Sequence, residues 1–377
     1  MNVLHVSGAS SWGGNEQQFT YLLDELPKHG VKQFLFCYRD SPLHQAAKNH
    51  PVSIIDIPKI KPHKKAYQQT LNQAVIENGI DVIHLHTSNA VTGYVLADIF
   101  YSLDTPTVFA RKSVRKRNSF PSILKYNYKN IHKVISISQY VERHFKRVLW
   151  KRNHHKFNIV YNGVRPEEMN RKAPFQLREK LQLKPETFLI GNIANHTKAK
   201  DLKTLIRTID ELVHKHQVTD IHVVQIGEFT KRTDAIQKEI ARYKLGDYVT
   251  LMGFVEKASA FLPQFDLFIM TSEREGGPSS IVESFFHKTP VISTRVGVVN
   301  EVIDDGVNGF SAEVGDYKSL AEKIKKFKET PELHAQFPER SHEIFQKKFT
   351  AEQLGRNTFK VYQDLLKEKG KSQKVLV

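Results

Sequence analysis

Short runs that are apolar throughout alternate with longer stretches of helical periodicity, and no other feature constrains the fold of this chain so tightly. "NVLHVS", "KQFLFCY", "VSIIDI", "DVIHLHT", "PTVFA" and "KVISIS" are all of strand length, and they are apolar continuously rather than at every second residue. Such runs suit strands covered on both faces, which means a parallel sheet with helices on either side. "NEQQFTYLLDELPKHG" and "YQQTLNQAVIENG" supply helices between them, so the first half predicts a doubly wound α/β domain. The pattern breaks at "NIVYNGVRPEEMNRKAP" and restarts with "FLIGNIAN", "DIHVVQIG", "YVTLMG", "FDLFIMTS", "TPVIST" and "GFSAEV". A second sheet of the same kind follows, with the boundary near Gly163. We expect two Rossmann-like domains over 1–165 and 166–350, facing a central cleft. A last helix over 351–377 is free to cross back to the first domain. The length of 377 residues fits two domains of roughly 150 each.

Composition narrows the function classes. No stretch approaches the roughly 18 apolar residues that a spanning helix needs, and "MNVLHVSGAS" reads as a buried strand, not a signal peptide. One cysteine, Cys37, excludes an internal disulfide and a thiolate metal cage; the expected compartment is the cytoplasm. The net charge of +16 is concentrated in residues 1–165, which hold 23 Lys and Arg against 10 Asp and Glu. Its densest run, "ARKSVRKRNSFPSILKYNYKNIHK", interleaves bases with Phe, Leu and Tyr. That pattern suits an anionic membrane surface or a phosphate-rich polymer, and equally a solvated basic face. A nucleic-acid surface is the weaker reading, because no aromatic platform or reading helix accompanies the charge.

The chemistry should lie in loops after strands, and one of them is unusual. "TSEREGGPSSIVESFF" runs from a strand through glycines into a helix, with Glu275 before the turn and Glu283 one turn inside the helix. Pro278 suits a first helical position, and Ser279 and Ser280 leave free N–H groups there, an anion site by partial charge. Ile281, Val282, Phe285 and Phe286 read as the buried face, with Glu283 turned away from it near Ser280. A ligand with an anion at the helix start could be held by a carboxylate at each end, the order of groups in a sugar-diphosphate-ribose. An acidic loop with a helix-dipole glutamate remains the plain alternative.

Glu275 and Glu283 match the E-x7-E signature of the retaining glycosyltransferases of family 4, which the sequence resembles. The resemblance runs from the first strand to about Leu320 through "GGNEQQ", "DVIHLHT", "NGV", "KDLKTLI", "LMGFVEKASAFLPQFDLFIMTSE" and "EGGPSSIVESFFHKTPVISTRVGVVNEVIDDGVNGF". It implies the GT-B fold. It also implies that Glu283 binds donor ribose and Glu275 the donor sugar, with Gly276, Gly277 and following N–H groups on sugar and phosphate. Lys200 would meet the diphosphate, Gly13 and Gly14 would form a glycine loop over the phosphates, and Phe254 and Val255 would flank the base. No metal or other cofactor is implied; Lys200, the helix start and the loop donors would stabilise the leaving group. Retention would follow a front-face route.

Two departures stand out. The family commonly places an arginine five or six residues before the lysine, where this chain has Asn195 and Ala194. Either Lys198, His196 or a basic group from the first domain substitutes, or phosphate binding is weaker. Asp201 also stands where glycine is usual. After "TPTVFA" many members carry a histidine; here Arg111 and Lys112 follow, cations suited to donor phosphate or an anionic acceptor. His84 and His86 point the same way from their strand, and His86 could approach the donor sugar, though neither a third ligand nor a carboxylate partner is evident. The expected activity is hexose transfer from a nucleotide-diphosphate sugar, UDP favoured over GDP or ADP, to a lipid-linked or anionic glycan. It would occur at the cytoplasmic membrane face, as in polysaccharide or lipopolysaccharide synthesis, with the protein peripheral there. A GT-B epimerase or phosphorylase would carry the same donor motif.

Overall fold

The structure, a computed structural model, describes residues 1–114, 119–275, 277 and 279–375. Arg115, Lys116 and Arg117 of the basic run, and Gly276 and Pro278 of the glycine turn, lie outside them. The chain forms two compact units, one of Met1–Gly163 with Ala351–Val377, the other of Val164–Thr350.

The first unit holds seven parallel strands: β1 (Asn2–Val6), β2 (Lys32–Tyr38), β3 (Ser53–Ile57), β4 (Val82–Leu85), β5 (Thr107–Arg111), β6 (Lys133–Ser136) and β7 (Phe157–Ile159), in the order β3-β2-β1-β4-β5-β6-β7. Alternate residues serve opposite faces. Leu4, Val6, Phe36, Ile83, Leu85 and Phe109 pack on Tyr67, Leu71, Val91 and Tyr94 from the helices Lys65–Glu77 and Ser88–Tyr101. Val3, Val82, Val108 and Ile135 instead meet Tyr21 and Leu22 of the helix Gly14–Glu25. Continuous apolar runs are what such two-sided burial requires.

The second unit holds β8 (Phe188–Ile193), β9 (Ile221–Ile226), β10 (Val249–Leu251), β11 (Leu267–Met270), β12 (Val291–Thr294) and β13 (Phe310–Ala312), ordered β10-β9-β8-β11-β12-β13 and parallel throughout. Both sheets therefore reverse direction of growth at one place, between β1 and β4 and between β8 and β11. Open α/β sheets bind ligands at that reversal.

The last helix, Ala351–Val375, packs within the first unit. Leu354, Val361, Tyr362 and Leu365 cover the Val3–Val82–Val108 face, each side chain contributing about 1.5–3 kcal/mol by burial. Lys133 pairs with Glu368 at 2.6 Å, and His29 stacks on Phe359 at 5.0 Å. Gly355 sets the approach to the helix Gly14–Glu25, because a Cβ there would lie 2.4 Å from Glu25 Cβ. Overpacking costs about 1–3 kcal/mol, more than the ~1 kcal/mol that alanine adds to a helix. Gly355→Ala should therefore lower the urea midpoint, with a net loss of up to about 2 kcal/mol. Gly370→Ala on the same helix, where the added methyl meets open space, should leave the midpoint unchanged or raise it.

Candidate active site

In the second unit the loops after β8 and β11 are tied together before any charged side chain is considered. Thr271 Oγ1 donates to the carbonyls of Lys200 and Asp201 at 3.3 and 3.1 Å, and the Glu273 N–H donates to Ala199 O at 2.8 Å. Thr294 Oγ1, from the end of β12, holds Ser272 O at 2.7 Å. On that frame Lys200 Nζ reaches Glu275 Oε1 at 2.6 Å, and Ser272 Oγ donates to the same oxygen at 3.0 Å. The two charged side chains keep 27% and 15% of their surface exposed, so the pair is held by protein yet open to solvent. Glu275 Oε2 has no donor among the described residues.

Asp201 occupies a backbone position that suits glycine. Its φ is +43°, in the left-handed region. The aspartate tolerates it by capping the helix Leu202–Asp210, accepting from Thr204 Oγ1 at 2.5 Å and from Thr204 N–H at 3.4 Å. Gly297 is a residue the motif reading passed over. Its φ is +54°, and a Cβ would lie 2.6 Å from the Glu275 carbonyl oxygen. The loop carrying Glu275 therefore takes its course against a glycine that follows β12; the only sequence signal is a lone Gly just after an apolar run. Gly297→Ala should cost about 1–3 kcal/mol from the strained φ and the clash together, read as a lower thermal midpoint.

Glu283 sits differently from the sequence expectation. In the helix Ser279–Phe286, Ser280, Ile281, Val282, Ser284 and Phe285 are buried while Phe286 is partly exposed. Glu283 is itself largely enclosed. Burial pushes its carboxyl up to about 7, against a hydrogen bond with the Ser279 hydroxyl that pulls the other way. Its partner is thus Ser279, four residues back and on the same helix face, not Ser280, whose carbonyl receives the Ser284 hydroxyl. Gly277 and Ser279 are exposed beside it. Unfolded, the Glu283 carboxyl ionises near 4.5; folded, near 7. Between those values the folded chain keeps a proton that the unfolded chain releases, so stability falls as pH rises through that window and the penalty is complete above it. Glu283→Gln keeps an acceptor for Ser279 and removes the charge. It should raise the melting temperature by roughly 2–4 °C at about pH 8, a gain of about 1 kcal/mol after discounting for partial exposure, and by nothing near pH 4.5.

Other expected residues take other roles. Asn195 does not stand in for a cation: its Oδ1 accepts the Glu228 N–H at 2.9 Å and anchors the loop after β9. His196 is excluded as a phosphate ligand, since it is 1% exposed and both ring nitrogens are engaged, with Thr233 Oγ1 at 2.9 Å and Gln225 Oε1 at 2.8 Å. Lys198 is exposed on the same loop. Phe254 is 72% exposed after β10, and Val255 lines a pocket with Arg171, Lys172 and Lys257.

In the first unit Gly13 caps the helix Gly14–Glu25 in extended backbone. A Cβ at Gly14 would meet nothing within 4 Å, and one at Gly13 only Glu16 Oε2 at 3.4 Å, so the fold itself does not demand glycine at either position. Arg111 is a core residue, 5% exposed, with its guanidinium 4.7 Å from the Phe145 ring centre and 5.7 Å from that of Tyr126. Lys112 donates to Asn15 O at 3.3 Å, and burial draws its ammonium down to about 8 although Glu16 opposes this. His86 does not stand only with His84. His5, from β1 in register with His84, adds a third imidazole, its Nδ1 3.0 Å from His86 Nε2. The apparent lack of a third partner is corrected by strand pairing that the sequence does not display.

Each half of the chain matches a glycosyltransferase family model. Residues 12–168 match the description "Glycosyltransferase Family 4" and residues 175–343 "Glycosyl transferases group 1". The O-antigen biosynthesis glycosyltransferase WclY of Escherichia coli is 22% identical over 370 residues, 96% of this chain and 98% of its own. The N-acetyl-alpha-D-glucosaminyl L-malate synthase of Bacillus anthracis is 20% identical over 81% of each chain. Among solved structures, that of Anabaena HepE in complex with UDP superposes with a TM-score of 0.79 at 18% identity, covering 97% of this chain and all of that one. The fold is GT-B.

Proposed function

The chain belongs to the family 4, group 1 glycosyltransferases, and from that premise we propose that its second unit binds a nucleotide-diphosphate sugar at Lys200, Glu275 and the start of the helix Ser279–Phe286. The Lys200–Glu275 pair, standing where β8 and β11 diverge, is the observation that carries this reading. Donor binding exchanges partners: the ammonium turns to the diphosphate, and the carboxylate to sugar hydroxyls. Glu283 takes the ribose hydroxyls, Gly277 and the helix N–H groups meet sugar and phosphate, and Phe254 and Val255 flank the base. Gly276 and Pro278 belong to the same sequence motif.

The anomeric C–O bond to phosphate breaks with its electron pair passing to the phosphate oxygen, and Lys200 and the helix N–H groups stabilise the charge that develops. A retaining front-face step follows, in which the acceptor hydroxyl attacks from the leaving-group side and gives its proton to that oxygen. These residues supply the stabilisation without a metal. UDP is the first base to test, since the similar HepE structure is a complex with UDP.

The acceptor proposed is a lipid-linked or anionic glycan, in line with the O-antigen assignment of one relative. Support comes from the helix Phe120–Tyr126, where Phe120 and Leu124 are 72% and 46% exposed on one face, i and i+4. Among the described residues no helix is long and apolar enough to cross a membrane, so contact through such a face would be peripheral. The charge excess overstates that face. Lys125 is bound to Ser88 and Thr92, and Lys133 to Glu368.

A panel of UDP-, GDP- and ADP-sugars should give one clear thermal shift, worth about 2.7 kcal/mol at a hundredfold excess over the dissociation constant. Lys200→Ala should lower kcat/KM for transfer at least about 100-fold, or roughly 2.7 kcal/mol of transition-state stabilisation. Near-normal turnover in both Lys200→Ala and Glu275→Gln would sink the proposal. Transfer to a small carboxylate but never to a lipid-linked glycan would overturn the acceptor assignment alone.

A further inference from the structure

We propose that His5, His84 and His86 form a binding site for one borderline divalent transition-metal ion, Zn2+ by class, at the point in the first sheet where β1 and β4 diverge. One ring nitrogen from each of the three lies within 4.8 Å of the others. His5 and His84 are paired across adjacent strands, and His86 follows two residues on, so its ring shares their face.

The hydrogen bonds around His5 and His84 have the pattern of ligands with their outer support in place. Gln33 Nε2 donates to Leu23 O at 2.7 Å, which turns Gln33 Oε1 toward His5 Nε2 at 3.1 Å as an acceptor. His5 Nε2 therefore carries the proton, and the Nδ1 lone pair faces His86 Nε2 at 3.0 Å, a hydrogen bond that an ion between the rings would replace. His84 Nδ1 meets Tyr362 Oη at 2.6 Å, leaving Nε2 to face inward. Metal-bound histidines typically give their second ring N–H to an oxygen in this way, which fixes tautomer and ring orientation. Gln33 and Tyr362 serve as those oxygens here.

Two ring nitrogens have no partner: His84 Nε2 and His86 Nδ1 are both buried and form no hydrogen bond. Unmatched buried polar atoms are costly and uncommon, and in this trio each belongs to a ring that could ligate. Lys112 opposes an ion but is itself bound to Asn15 O.

Three imidazoles without a carboxylate select Zn2+, Co2+, Ni2+ or Cu2+ over Mg2+ or Ca2+. In a tetrahedral site with bonds of about 2.0–2.1 Å the ligands stand about 3.3 Å apart, so closing on an ion draws the widest pair together by at most about 1.5 Å. An ion there would tie the root of the glycine-bearing loop after β1 to that of the helix Ser88–Tyr101. The site is independent of the donor proposal, whose residues lie in the other unit.

The test uses the full chain without an affinity tag, stripped with a chelator. Co2+ titration should saturate at one equivalent with the intense visible absorption of a tetrahedral imidazole site, and Zn2+ should displace it. Zn2+ at a hundredfold excess over its dissociation constant should raise the melting temperature by roughly 5 °C. His5→Gln and His84→Gln should each abolish the Co2+ bands; Tyr362→Phe, which preserves packing, should weaken binding about 10–100-fold. Should either histidine variant fail to fold, wild-type stoichiometry and Tyr362→Phe decide the matter. Absence of tetrahedral bands at one equivalent, or bands unchanged in these variants because others of the 18 histidines hold the ion, would overturn the site.

Discussion

The ion pair between Lys200 and Glu275 is the contact on which the candidate site depends. Breaking a fully buried pair by removing one partner costs about 3–5 kcal/mol, while an exposed pair contributes about 0–1 kcal/mol. With 27% and 15% of the two side chains exposed, this one lies between. It is strong enough to hold both side chains where the loop backbone has placed them, and accessible enough to change partners. The uncharged frame around it matters as much. Thr271, Thr294 and the Glu273 N–H fix the loop backbones through carbonyl oxygens, so the charges need not hold the loops in position as well.

The two sheets share a strand order and use the same place differently. Where β8 and β11 diverge, the second unit sets a lysine and carboxylates at its surface; where β1 and β4 diverge, the first sets three imidazoles beneath it. The geometry that spreads two loops apart is common to both, because parallel strands of opposite connection must separate there. Only the polarity of the residues at the strand ends decides what each crevice can hold.

Most strands are legible in the sequence because burial on both faces leaves an apolar run; β3, β7 and β10 are only partly buried. Glu275 and Glu283 are legible because a carboxylate pair at fixed spacing is a local pattern, and Lys200 because the family resemblance singles it out. The rest depends on tertiary neighbours. His5 joins His84 only through strand register. Gly297 matters only because the Glu275 carbonyl passes 2.6 Å from where its Cβ would stand. Arg111 reads as an exposed cation until Phe145 and Tyr126 are seen to enclose it. The helix Pro331–Lys348 carries Pro338 inside it, and an internal proline is the usual sign of a helix ending; Phe337 and Phe345, buried on either side, outweigh that signal.

The closing helix has a consequence for how the molecule comes into being. The first unit is built from two segments, Met1–Gly163 and Ala351–Val377, with the whole second unit inserted between them. During vectorial synthesis the second unit is complete once Thr350 has emerged, whereas one face of the earlier sheet still lacks Leu354, Tyr362 and Leu365. The part translated first is therefore the part finished last. Until the helix Ala351–Val375 leaves the ribosome, the Val3–Val82–Val108 face is an apolar surface awaiting cover, the period in which a nascent chain of this architecture is most exposed to chaperones and to aggregation.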